Sequence, residues 1–165
     1  MTPWLTLIGI GEDGLAGLSP SARAALDGAG VVFGGPRHLA LAGAGARGRV
    51  WPVPFDVAPV LALRGAPVAV LASGDPFWHG AGGSLAGHLD HGEWTSHPAP
   101  STFQIAANRL GWRMEETLCM GLHAAPSRGC ARCCRARCGR SACCATALPR
   151  RRWQNGWSCM ALVRQ

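Results

Sequence analysis

The residues that can do chemistry crowd into one short stretch, Ser73-Gly74-Asp75-Pro76-Phe77-Trp78-His79, which offers a hydroxyl, a carboxylate and an imidazole. Gly74 admits backbone angles closed to other residues, and Pro76 pushes Asp75 out of the α region, so the chain must turn here. Two readings of Asp75 follow. It can face a ligand at the carboxyl end of a strand, or it can cap the amides of its own turn. A second glycine-bearing turn, Gly9-Ile10-Gly11-Glu12-Asp13-Gly14, lies near the amino terminus, and Ser101-Thr102 opens a third segment behind Pro98 and Pro100.

The chemistry of the first turn limits the ligand. A strand ending in Gly9-x-Gly11 is half of a dinucleotide fingerprint, but no third glycine sits at the fingerprint spacing. Glu12 and Asp13 stand where a pyrophosphate needs amides and positive field. A phosphate loop of the nucleotide-triphosphatase kind requires Lys, and the chain has none. The expected ligand therefore lacks phosphate and can carry positive charge. The plainer alternative is that Gly9 and Gly11 only make a tight turn.

The elements that must hold these turns alternate. Trp4–Ile10 reads as a strand, Ser19-Pro20 as a helix start with Ser at the cap, and Val31–Phe33 as a second strand. A short helix is expected over Arg37–Ala42, an edge strand over Val50–Val53 and a helix over Asp56–Leu63. Val68–Ala72, a continuous apolar run, reads as a buried strand, followed by a helix over Ser84–Leu89 and a strand over Glu93–His97. The pattern predicts a helix over Ser101–Leu110, stopped by Gly111, and a last strand over Thr117–Leu122. Strands alternating with helices predict an α/β fold with a parallel sheet over residues 1–122.

Residues 123–165 are a different text. Of the chain's eight cysteines only Cys119 precedes Pro126, and nine of the sixteen arginines follow it. Every acidic residue lies at or before Glu116, so the net charge of +7 belongs to the tail. Read literally, the tail suggests a basic, Cys-rich binder of nucleic acid or zinc. Its cysteines are scattered among arginines rather than paired around a loop, which argues against a metal site. The composition instead suggests a shifted reading frame in a GC-rich gene, in which TGC codons for Cys stand for Leu, Val or Met codons one base upstream. On that reading the tail is disordered, and neither nucleic acid nor metal is expected. No apolar run approaches the roughly 18 residues of a membrane span, the start has no leader pattern, and the cysteine-poor front reads as cytoplasmic.

Taken together, GIGEDGLAGLSPSARAAL, VVFGGPRHL, SGDPFWHGAG and HPAPSTFQIAANRLGW resemble the tetrapyrrole methyltransferases, the class III fold that methylates corrin and porphyrin rings. The resemblance covers about residues 1–126 and is nearest to the amino-terminal half of a fused enzyme acting on carbon 5 of a precorrin macrocycle in cobalamin biosynthesis. It implies S-adenosylmethionine as cofactor, a sulfonium without phosphate, held in a cleft between two domains. Carried over by motif, the cofactor contacts are Gly9 and Gly11, then Ser73, Gly74 and Asp75 with Trp78 and His79, and finally Ser101 and Thr102. Glu12 stands where many relatives have Pro. The reaction implied is in-line methyl transfer to a ring carbon, which needs no metal and no nucleophilic side chain. No catalytic residue is assigned; His79 and His97 are candidates for taking a proton, against the alternative of polar surface residues. Arg37, Arg109 and Arg113 could meet substrate carboxylates, or be solvated surface arginines. Trp51, Trp94 and Trp112 read as packing. A tetrapyrrole substrate and a homodimer are implied; a missing second domain would leave half a site. A nucleotide-binding α/β domain without catalysis is the remaining alternative.

Overall fold

The structure is a computed structural model that describes residues 3–121 and 160–164. The chain divides into two compact units, Met1–Thr102 and Phe103–Gln165. In the first, β1 (Leu5–Ile10), β2 (Val31–Gly34), β3 (Gly48–Val50), β4 (Val68–Ser73) and β5 (Trp94–His97) form one sheet in the order β3-β2-β4-β1-β5. All four pairings are parallel.

Alternation along the strands divides the core into two faces. Ile8 and Ile10 of β1 join Ala69 and Leu71 of β4 on one face, where Ala22 and Leu26 of α1 (Pro20–Gly28) cover them. Leu39 and Leu41 of α2 (Pro36–Leu41) pack on the same side. Leu5 and Leu7 of β1 join Val68 and Val70 of β4 on the other face. Val60 of α3 (Ala58–Leu61) and Leu85 of α4 (Ala81–Ala86) cover that side. Burial on both faces is why VAVLA is apolar throughout rather than alternating.

Capping fixes α1 at both ends. Ser19 Oγ accepts a hydrogen bond from the Ala22 amide at 3.2 Å, with Pro20 as the first helical residue. The Arg47 guanidinium donates to the carbonyls of Leu26 at 3.0 Å and Ala29 at 2.8 Å, groups that a helix end otherwise leaves unpaired. The strand expected at Val50–Val53 is instead Gly48–Val50, pairing with Val32–Gly34. Pro52 has no amide to give to a ladder. Beyond β3, Trp51 leaves the sheet to pack between Phe33 and Phe55. The helix expected at Ser84–Leu89 begins earlier, at Ala81, because the Gly82 amide donates to the Pro76 carbonyl at 3.0 Å and pins the first turn.

Helix α5 (Thr102–Leu110) buries Phe103 and Ala107 and is followed by Gly111 with φ +64. Such a left-handed residue is the usual helix stop, here closed by the Trp112 amide on the Ala107 carbonyl at 2.8 Å. Next, β6 (Thr117–Gly121) pairs antiparallel with β7 (Met160–Arg164), from Thr117 opposite Arg164 to Gly121 opposite Met160. The last residues of the tail thus form a strand where no element was expected. The tail cysteines lie outside the described residues.

Candidate functional site

Parallel pairing of β1 with β4 places Ile10 opposite Ser73, so the two glycine turns leave the sheet side by side at its carboxyl edge. On the other side of β1, β5 ends at His97 opposite Ile8, and the Pro98–Pro100 loop joins the same rim. The three turns interlock through backbone. The Gly74 amide donates to the Ile10 carbonyl at 3.4 Å, and the Ala99 amide donates to the Gly74 carbonyl at 3.1 Å. A side chain at Gly9 would run into that Gly74 carbonyl, and its Cβ would lie 2.6 Å from the Ala99 amide. The room left by Gly9 is therefore filled by the chain's own backbone; Gly9 lies within β1, paired opposite Ala72, and not in the tight turn that was the plainer alternative. Gly74 itself is buried at φ +62, where a Cβ would lie 2.7 Å from the Ser101 Cα.

Asp75 does what turn chemistry allows and remains reachable. Its Oδ1 accepts the Phe77 amide at 2.8 Å and its carbonyl accepts the Trp78 amide at 3.0 Å, while the residue is only half-buried. Trp78 and His79 are exposed on the same turn, with rings perpendicular at 5.9 Å, and His79 holds a φ of +55. Positive φ is uncommon for a residue other than glycine and marks a tightly determined turn. Gly11 follows β1 directly, half-buried; Ser101 is half-buried and Thr102 exposed at the start of α5. The nine residues expected at the site all fall within this rim or its adjoining turns.

Other expectations resolve into structural partners. Arg37 is ion-paired with Glu12 across the first turn. Arg113 pairs with Glu115 at 2.8 Å and Glu116 at 3.1 Å, as a surface arginine does. His97 Nδ1 lies 3.4 Å from Ser21 Oγ, a weak contact. Trp94 packs against Phe77, and Trp51 against Phe33, as packing residues. Among the described residues no cluster of three or more metal-ligating side chains exists.

Two residues escaped the sequence reading. His38, on α2, reaches back to the rim, and its Nε2 lies 2.8 Å from Ser73 Oγ. Gly34 makes room for it, since a Cβ there would sit 3.3 Å from the His38 Cβ. The paired glycines in VVFGGPRHL were the available signal. Burial, and secondarily the Arg37 charge, hold the His38 pKa below the ordinary 6.5. Glu93 ties the opposite, amino-terminal edge together. It accepts from Trp4 Nε1 at 3.0 Å, from the Asp90 amide at 3.0 Å and from Arg64 at 2.8 Å. The Asp90 amide first, then Trp4, then Arg64 hold its pKa below the ordinary 4.5.

The two glycine-bearing turns thus meet at one carboxyl edge of a parallel sheet, with Glu12, Asp13 and Asp75 in them. Residues 4–137 match the model of the Tetrapyrrole (Corrin/Porphyrin) Methylases, and the chain belongs to that family. The match runs past Pro126 into the tail. Within the family, the chain is 45% identical over 130 residues to a precorrin-6Y C(5,15)-methyltransferase [decarboxylating] of Sinorhizobium sp, covering 76% of this chain and 32% of that protein. It is 33% identical over 116 residues to a cobalt-precorrin-7 C(5)-methyltransferase of Salmonella typhimurium, covering 68% of this chain and 57% of that one. The crystal structure of a cobalamin biosynthesis precorrin-6Y methylase from Archaeoglobus fulgidus superposes with a TM-score of 0.56 at 28% identity, covering 70% of this chain and 62% of that one. The chain thus spans about a third of the length of the Sinorhizobium relative.

Proposed function

We propose that this chain carries the methyl-donor half of a precorrin methyltransferase, binding S-adenosylmethionine at the carboxyl edge of β1 and β4 for methylation of carbon 5 of a precorrin macrocycle in cobalamin biosynthesis. One observation carries the reading: the Ile10–Ser73 register sets the two glycine turns next to each other on a single rim. The residues there fit the cofactor. Asp13 and the half-buried Asp75 would repel a pyrophosphate and suit a ligand bearing a sulfonium and an ammonium group, while Glu12 is already paired with Arg37. When bound, the cofactor supplies an electrophilic methyl group.

The chain's own part is to hold and orient. Gly74 and Gly9 lock the rim by backbone packing, Asp75 keeps one oxygen toward its turn, and Trp78 offers an apolar surface beside it. Positioning two reactants and excluding water lower the barrier of such a displacement without a nucleophilic side chain. The relatives' names support a precorrin substrate. Titration of the purified chain by calorimetry tests the reading. S-adenosylhomocysteine should bind and ATP should not; ATP binding in preference would favour a nucleotide-binding domain.

A further inference from the structure

We propose that His38 is a positioning residue that sets the direction of the Ser73 hydroxyl, turning it into a hydrogen-bond donor toward an acceptor group of the ligand at the carboxyl edge of β4. The inference rests on the methyl-donor reading and adds to it the part of the ligand that Ser73 meets. His38 Nε2 and Ser73 Oγ lie 2.8 Å apart, and either could donate. The other ring nitrogen decides. His38 Nδ1 is buried and has no hydrogen-bond partner among the described residues.

A neutral imidazole carries one N–H and one bare nitrogen. If the proton sat on Nδ1, a buried donor would be orphaned, the rarer and costlier defect; a bare acceptor there is better tolerated. The proton therefore belongs on Nε2, which donates to Ser73 Oγ. With that lone pair engaged, the Ser73 hydrogen must point to something else. Ser73 is exposed, one residue before the Gly74 turn and opposite Ile10. The O–H that this leaves free suits a carboxylate or carbonyl oxygen. The lowered His38 pKa is consistent, since a charged ring would place a second N–H on the orphaned nitrogen. In S-adenosylmethionine the matching acceptor is the carboxylate of the amino-acid portion.

Two measurements on the full chain test this. Nitrogen-15 NMR of labelled histidine should show His38 neutral at pH 7.5 with its proton on Nε2; a proton on Nδ1 overturns the inference. Calorimetry then compares S-adenosylhomocysteine with 5′-methylthioadenosine, which lacks the amino-acid portion. Ser73→Ala and His38→Leu should each weaken S-adenosylhomocysteine by about tenfold, the scale of one hydrogen bond to a charged group, and leave 5′-methylthioadenosine unchanged. His38→Gln, whose amide N–H reaches the place of Nε2, should restore binding. A His38→Gln variant as weak as His38→Leu, or equal losses for both ligands, overturns the inference while leaving the methyl-donor reading intact. If the unaltered chain binds neither ligand, the methyl-donor reading falls and this inference with it.

Discussion

At the scale of single residues, Gly74 and Asp75 separate what the rim needs for shape from what it needs for charge. Gly74 combines φ +62 with a Cβ position 2.7 Å from backbone that cannot swing away. Gly74→Ala should cost at least about 2 kcal/mol of unfolding free energy in urea titration. Asp75→Asn is the complementary change. An amide oxygen can still accept the Phe77 amide, so stability should stay within about 0.5 kcal/mol. Its effect should appear in ligand affinity, where loss of the negative charge weakens S-adenosylhomocysteine; unchanged affinity would assign Asp75 to the turn alone.

At the scale of elements, α4 shows neighbouring glycines with opposite duties. Gly82 is buried with a Cβ position 2.7 Å from the Pro76 carbonyl, whereas Gly83 is exposed with open space around it. Gly83→Ala should therefore stabilise by about 0.5–1 kcal/mol through helix propensity alone, and Gly82→Ala should destabilise, both read from thermal melts. Nothing in the string Gly80-Ala81-Gly82-Gly83 distinguishes them, which is why the sequence puts the helix start three residues late. Apolar runs and caps were legible: Leu5–Ile10, Val68–Ser73 and the Ser19-Pro20 cap are local signals of burial and helix entry. The two turns could be read as neighbours only by assuming a parallel sheet, and the register fulfils that assumption. His38 was illegible because its partner lies 35 residues away and its meaning depends on which nitrogen is buried. Glu93 was hidden for the same reason, its bond to Trp4 spanning 89 residues.

At the scale of the molecule, two titrating groups give stability a stepped dependence on pH. His38 has a folded pKa below 6.5, so the unfolded chain takes up its proton first. Stability should be level above pH 6.5, fall as pH drops through that value, and level off once the folded ring is also charged. Glu93, with its folded pKa below 4.5, contributes stability that is present above pH 4.5 and lost as pH falls further. Urea midpoints measured from pH 8 to pH 3 should show both steps, with His38→Gln removing the upper and Glu93→Gln the lower. The strand order has a consequence for synthesis. The amino-terminal strand, Leu5–Ile10, is flanked in the sheet only by strands beginning at Val68 and Trp94. It leaves the ribosome before either of them and waits for a mate roughly 60 residues behind it, about 3–12 s at translation speeds of about 5–20 residues per second. Through that interval an apolar ribbon stands bare, and a nascent chain halted before Val68 should recruit holdase chaperones that one halted past His97 no longer needs.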